Sequence, residues 1–522
     1  MEQRLNEMRR MVAWRRRWKA DPCADAEVRA DAVHRPAATV GLFLSVFPSI
    51  MVPMFLAVVD QTIVATALPA IAASLGGVER VSWVVLAYLV ATTNAAPVYG
   101  QLRDVYSGKR MMFIALAVFI AASLLCARAT SIEMLAAGRV LQGLGGGGLM
   151  TLSQALIGET IPPRERARYQ GYLAAVMVTS STFGPIVGGY LTHQFGWRSI
   201  FLVNLPLGLL ALLLSLRLSA RPIREQSWRF DTFGLVLFTA FIGPTLLALE
   251  QLQFMRPGAL PAFVLLGGFG LAALVALIRH ERRTEHPLLP IALLRQPTIW
   301  RSDALAACHG AVLVSLIAFL PIYLYIGHAA TAAETGLRLL PLMLGIGFGS
   351  MATGRVVSRT GRTTIFPSVG LIFVTLSLLT IALWSRAFSP FLFGLVLLLN
   401  GLFMGTVMGV VQVVVQNAAG VTSLGAAAAS VQLSRSLGAV AGTAIVGTVL
   451  FATLALSDPL SASVFAAMIR RGPEALAHLP AAQRALVEDD IARAFRAAFL
   501  AIAAFAGLGM LIAWSIPARR LT

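Results

Sequence analysis

The chain has 522 residues, 57% of them hydrophobic and only 13% charged, and its 42 basic against 24 acidic side chains give a net charge of +18; mean hydropathy is +0.77. An ordinary soluble domain is about 25% charged, so no soluble fold hides this much apolar surface. The basic excess sits mostly in loops between apolar runs, which excludes nucleic acid as the reason for it.

The apolar runs are about 20 residues long, the length that crosses about 30 Å of hydrocarbon, and they recur along the whole chain, which excludes a secreted protein with a single signal peptide. In chain order, a basic tail (1–39) precedes spans at 40–67, 81–101, 111–128, 134–157, 169–192 and 199–216, a six-helix bundle over 40–217. An insert over 218–301 carries spans at 231–250 and 258–279. A second six-helix bundle over 302–516 carries spans at 303–326, 336–356, 365–385, 388–416, 425–455 and 495–516, and 517–522 is a short tail. The expected fold class is an all-α integral membrane protein with fourteen transmembrane helices arranged six, two, six.

Lysine and arginine fall mostly on the side that holds the N-terminus, so the positive-inside rule places both ends in the cytoplasm. The +18 charge then reads as topology and as attraction to the anionic inner leaflet of the lipid bilayer. Within the tail, Met8 to Lys19, with Trp14 and Trp18, reads either as a basic interfacial helix or as a tail that only fixes topology. The long outer segment, 457–494, contains a predicted short helix from Ala481 to Arg496.

Few residues carry chemistry. Asp60 is the only acid well inside a predicted span, whereas Asp104, Glu159, Asp231, Glu250 and Asp303 fall near helix ends. A lone carboxylate in hydrocarbon is expensive and sheds that cost by taking a proton, the physical requirement of a proton-coupling site; the alternative is a structural acid bonded to a neighbouring helix. Arg139 is the matching basic outlier, in the fourth span, and cannot discharge itself. It reads either as the partner that tunes proton exchange or as a lock between two helices.

Gly143/Gly147, Gly184/Gly188 and Gly438/Gly442 are each Gly-x-x-x-Gly, a spacing that lets helix backbones approach. Gly184-Pro185 adds an interrupted hydrogen-bond ladder, read either as a bend that moves or as static packing. The turn Gly100-Gln-Leu-Arg-Asp104-Val-Tyr-Ser107-Gly108-Lys109-Arg110 is echoed by Gly354-Arg-Val-Val-Ser358-Arg-Thr-Gly361-Arg362 after the tenth span. Two such turns in corresponding places point to a duplicated, pseudo-symmetric half. Cys23, Cys126 and Cys308 show neither disulfide nor metal-ligand spacing, and the seven histidines form no cluster, so no metal, cofactor or enzymatic site is expected.

Four segments taken together resemble the major facilitator superfamily, and specifically its fourteen-helix drug:proton antiporters of the EmrB/QacA type. Val59-Asp60-Gln-Thr62-Ile-Val64-Ala65-Thr-Ala67-Leu68-Pro69 is similar to that family's first-span signature, with Ala65 where an Asn is usual. The inner turn resembles the superfamily's gating loop, whose parts fall on Gly100, Asp104, Lys109 and Arg110, with Ser107 and Gly108 departing from it. The resemblance implies that Asp104 latches the halves on the N-terminus of a facing helix, which by position is span thirteen. Arg139-Val-Leu-Gln142-Gly143 resembles the proton-transfer motif, and Gly184-Pro185-Ile-Val-Gly188-Gly189 the exporter motif, followed by a similar run from Trp197 to Gly208.

The resemblance implies a major facilitator fold that works by alternating access. It implies proton coupling through Asp60 and Arg139, gating by the turn and by Gly184, Pro185, Gly188 and Gly189, and a substrate cavity bordered by Gln142 and Arg435. The expected function is proton-coupled export of amphipathic drugs or toxic compounds across a bacterial inner membrane; a periplasmic adaptor protein is the partner left open. The rivals are a proton symporter or exporter of one metabolite and a transporter-like sensor.

Overall fold

The computed structural model describes residues 36–76, 80–218, 230–253, 259–284, 287–288, 291–327, 332–384, 387–471, 476, 479–517 and 520. The expectations for the tail up to residue 35, including Met8 to Lys19, and for most of 517–522 lie outside these residues. The chain divides into a first unit, Met1–Ser49, and a second, Ile50–Thr522. Of the first, residues 36–49 are described and are helical; the second holds everything that follows.

The described residues form helices α1 (Pro36–Leu75), α2 (Ser82–Val105), α3 (Gly108–Ala127), α4 (Ile132–Thr160), α5 (Pro163–Phe195), α6 (Ser199–Leu202) and α7 (Asn204–Ser215). Next come α8 (Thr232–Gln253), α9 (Ala259–Glu281) and α10 (Ile291–Leu294). The remainder is α11 (Pro297–Gly327), α12 (Ala332–Thr360), α13 (Ile365–Trp384), α14 (Pro390–Ala419), α15 (Leu424–Ser457), α16 (Pro459–Arg471) and α17 (Ala481–Ser515). All fourteen predicted spans fall on these helices, and 11 helices are long and apolar enough to cross a membrane. α2 and α4, diluted by polar residues and glycine, are not among the 11, nor is the shorter stretch Ser199–Ser215.

Local chemistry sets the ends. Ser131 caps α4 by accepting from Met134 N–H at 3.1 Å, and Ser389 caps α14 by accepting from Leu392 N–H at 3.3 Å. Proline opens α5 and α14, where its missing N–H is harmless, and Gly196, at φ +78°, closes α5 in a conformation that favours glycine. The predicted sixth span is broken at Val203 into α6 and α7. Pro206 explains this, because it has no N–H for the Leu202 carbonyl.

Several helices run past the predicted spans, since hydropathy marks where hydrocarbon ends and not where the hydrogen-bond ladder stops. α2 continues to Val105, so Asp104 is on a helix, and the predicted inner turn shrinks to Tyr106 and Ser107, with Lys109 and Arg110 in the first turn of α3. α11 begins at Pro297, which puts Asp303 inside it at 6% exposure and corrects the view of Asp60 as the only interior acid. The short helix expected from Ala481 is the start of α17 and continues unbroken into the last span; α16 was not foreseen.

Glycine sets the closest approaches. On α2, a Cβ at Gly100 would stand 2.7 Å from the Gly425 carbonyl of α15, and on α12 a Cβ at Gly354 would meet the Ala167 carbonyl of α5. The two echoed turns thus contribute equivalent glycines to two seams between the first and second sets of helices. α12 and α14 pack through Gly345 and Gly349 against Gly401 and Gly405, leaving no room for side chains. Gly349→Val is therefore expected to destabilise the protein by about 1–3 kcal/mol or more through overpacking against Leu402, while Gly347→Ala, where nothing lies within 4 Å, is neutral. Thermal unfolding of purified protein compares the two.

Candidate functional site

Asp60 and Arg139 meet. Asp60 on α1 is 1% exposed and Arg139 on α4 is 1% exposed, and Arg139 Nη1 donates to Asp60 Oδ2 at 2.6 Å. The other carboxylate oxygen, Oδ1, accepts from Gln142 Nε2 at 2.8 Å and from Asn204 Nδ2 at 2.6 Å. Gln142, one turn from Arg139 on α4, takes an Arg139 hydrogen bond on its Oε1 at 2.8 Å and donates to Ser123 Oγ on α3 at 2.9 Å. Asn204 opens α7. The site thus draws one polar side chain from each of α1, α3 and α7 and two from α4.

Helix α2 supplies the rest of the arginine's surroundings. Arg139 Nε donates to the Val84 carbonyl at 3.3 Å, and the Tyr88 ring lies 4.0 Å from the guanidinium carbon, within cation–π range. Tyr88 Oη in turn donates to the Ala57 carbonyl of α1 at 3.1 Å. α4 comes this close to α2 because Gly143 and Gly147 lie against the Tyr88 and Thr92 carbonyls. The Gly-x-x-x-Gly spacing therefore positions the ion pair.

Arg139 has carbonyl, amide and aromatic partners besides the carboxylate. Gln142, expected to border the substrate cavity, is instead fully buried and bonded on both sides within this network. Asn204 and Ser123 were not singled out from sequence, where short polar residues in apolar helices carry no distinguishing signal.

The second site is the seam at the Asp104 end. Asp104 Oδ1 accepts from Gly425 N–H at 2.9 Å and Oδ2 from Ala426 N–H at 3.0 Å, in the first turn of α15, where the helix dipole favours an anion. Arg103, 4% exposed, bridges Asp104 at 2.7 Å and Glu159 of α4 at 2.6 Å. That bridge was missed from sequence. Lys109 and Arg110 do not pair with Asp104: Lys109 Nζ donates to the Leu216 carbonyl at 2.7 Å, and Arg110 lies over the Tyr106 ring. Further along the seam, Gln416 Nε2 of α14 donates to the Gln154 carbonyl of α4 at 2.9 Å. Ser358, the counterpart of Asp104, donates to the Arg355 carbonyl of its own helix, and among the described residues it makes no bond across the seam.

Gly184 and Gly188 seat α5 against Thr62, Ile63 and Thr66 of α1, and Thr62 Oγ1 is 3.4 Å from the Ser180 carbonyl. The helix runs unbroken through Pro185, and Gly189 has open space on its Cβ side. Of the three glycines, then, Gly184 and Gly188 make the close approaches. Arg435 lies on α15, half-buried, apart from the Asp60 network. An apolar cavity of about 1090 Å³ lies between α2, α3, α4 and α8, and none of Asp60, Arg139, Gln142 or Arg435 lines it.

A bundle of long apolar helices with a buried ion pair inside, and an acid bonded to a helix N-terminus at one end, is the architecture of a multi-pass membrane protein. The sequence profile of the Major Facilitator Superfamily matches residues 50–443. The chain is 30% identical over 472 residues to an uncharacterized MFS-type transporter of Mycobacterium tuberculosis (strain ATCC 25618 / H37Rv), covering 90% of this chain and 68% of that one. It belongs to the Major Facilitator Superfamily, whose members are transporters and not enzymes. It is also 29% identical over 442 residues to the multidrug transporter protein MdtP of Bacillus subtilis (strain 168), covering 81% of this chain and 80% of that one. The crystal structure of the human organic anion transporter MFSD10 (TETRAN) superposes with a TM-score of 0.63 at 16% identity, over 90% of this chain and 99% of that one, and shares its fold.

Proposed function

We propose that the protein is a proton-coupled exporter of amphipathic small molecules, of the fourteen-helix drug:proton antiporter type, in a bacterial inner membrane with both termini cytoplasmic. In this reading two bundles, 40–217 and 302–516, rock about a central pathway, with 218–301 as an insert and Asp104 latching the cytoplasmic side. The observation that carries the proposal is the Asp60–Arg139 pair at 2.6 Å, an interior acid whose cationic partner keeps other ligands when the acid is neutral. Export is supported by other relatives of the chain that are named as efflux pumps, at 29–32% identity, and drug-like substrates by the multidrug transporter name of MdtP.

In the proposed cycle, Asp60 takes a proton while its side of the bundle faces outward, and loses it to the cytoplasm as substrate binds and Arg139 re-forms the pair. Cells producing the protein are expected to hold less of an exported compound than control cells, with the difference removed by an uncoupler. In everted vesicles with an acidified lumen, adding that compound is expected to release lumenal protons in the parent and not in Asp60→Asn. Equal proton movement in that variant would overturn the assignment.

A further inference from the structure

The membrane helices hold a second set of polar side chains that the Asp60 network does not absorb. Asp303 and His309 lie on α11, and Gln432 and Arg435 on α15. These helices touch at backbone level, with Gly310 against the Arg435 carbonyl and Gly438 against that of Ala307. Arg435 Nη2 donates to Gln432 Oε1 at 3.1 Å, while its Nε–H is buried without an acceptor. Among the described residues, Arg435 makes no ion pair with any carboxylate. His309, buried and in electrostatic reach of Arg435, also leaves its Nδ1 without a partner.

An arginine cannot neutralise itself by losing a proton, and a guanidinium among membrane helices is costly without a counter-charge. Arg139 has Asp60 for this purpose; Arg435 has no equivalent. Its place is also distinctive. Gln432 Nε2 reaches Met150 Sδ of α4 at 3.6 Å, so Arg435 is one turn beyond a contact between the two sets of helices. A half-buried cation there, with donors to spare, is completed by an anion that arrives with the ligand.

The acids tell the same story from the other side. Both oxygens of Asp60 are already occupied by Arg139, Gln142 and Asn204, and those of Asp104 by Arg103 and the start of α15. Neither is free to receive an organic cation. On α11 and α15 themselves the one acid is Asp303: its Oδ1 is 3.4 Å from Ser430 Oγ and its Oδ2 has no partner. Ser430 lies five residues before Arg435, about 7.5 Å along the helix toward the Asp104 latch, where Asp303 is buried at 6% exposure. Asp303 is thus the more deeply buried of the two and lies nearer the Asp104 seam.

We infer that Arg435, with Gln432 and His309 beside it, is an anion-recognition site, so that the amphipathic substrates are organic anions such as aryl carboxylates and not organic cations. The word substrate rests on the export reading; the binding site does not. Two probes of the same shape and opposite charge test it: 2-naphthoate and 2-naphthylmethylammonium, titrated into purified full-length protein in nanodiscs of zwitterionic lipid, with melting temperature as the readout. Naphthoate is expected to raise the melting temperature saturably and the ammonium probe not to. Arg435→Gln is expected to weaken the apparent naphthoate affinity at least tenfold, with Arg435→Lys recovering part of it.

Undiminished naphthoate binding in Arg435→Gln, equal stabilisation by the two probes, or no stabilisation by either would overturn the inference. Preferential binding of the ammonium probe that is lost in Asp303→Asn would transfer the site to that acid. Retained naphthoate binding in a protein that moves no protons would sink the export reading and leave the anion site standing.

Discussion

Asp60→Asn is expected to abolish proton-coupled flux and, separately, to destabilise the fold by about 3–5 kcal/mol, because the buried Arg139 charge then keeps only the neutral Val84, Gln142 and Tyr88 ligands and has no counter-ion. Arg139→Gln should do the same from the other side, stranding a carboxylate that is 1% exposed. The informative variant is the double one. With Asn at 60 and Gln at 139 no charge is left in the site, Gln142, Asn204 and Ser123 still offer donors and acceptors, and much of the lost stability should return. Flux should not return, since nothing there can carry a proton. Thermal unfolding of the parent, both single variants and the double variant, alongside gradient-driven flux, closes the cycle. A double variant that still exchanges substrate for protons would mean that Asp60 and Arg139 are only a lock between α1 and α4.

That test is worth running because the sequence left both readings open, and the reason is specific. Asp60 and Arg139 were legible as single charges where hydropathy forbids charges, and the fourteen apolar runs were legible for the same reason. Their mutual contact was not, since it depends on how α1 and α4 cross. Nor were Asn204 and Ser123, because neutral polar side chains are ordinary in membrane helices and acquire meaning only when aimed at a carboxylate. The glycine spacings announced close packing without naming the partner: Gly143 and Gly147 serve α2, Gly184 and Gly188 serve α1, and Gly438 and Gly442 serve α11.

Asp303 was misjudged for a different reason. The predicted span began at that residue because an acid was taken as its boundary, whereas Pro297, a natural first residue of a helix, starts α11 six positions earlier. The charged ends of the spans were likewise treated as loops. That hid the Arg103 bridge, although Arg103 and Asp104 are adjacent and Glu159 closes α4 at the same level.

The latch at that level gives the second large effect. In Asp104→Asn one side-chain oxygen can still accept, but the amide that replaces the other oxygen presents N–H groups to the N–H of Ala426, and the favourable meeting of a charge with the α15 dipole is gone. Charge-assisted hydrogen bonds are worth about 1.5–3 kcal/mol each. Losing one is thus expected to shift the balance away from the latched state by roughly 10- to 100-fold, at about 1.4 kcal/mol per tenfold. Spin labels at exposed Arg164 on α5 and Arg359 on α12 read this at the second seam between the two sets of helices: the variant should gain a population of longer distances as the sets part. Gly425→Val should act in the same direction, by wedging its side chain against the Gly100 carbonyl and Asp104. Turnover should fall in both, while equilibrium binding of 2-naphthoate changes little, because Asp104 touches no part of the Arg435 site. A distance distribution identical to the parent's, with flux nevertheless lost, would show that Asp104 acts in the transport step by some means other than holding the two halves together.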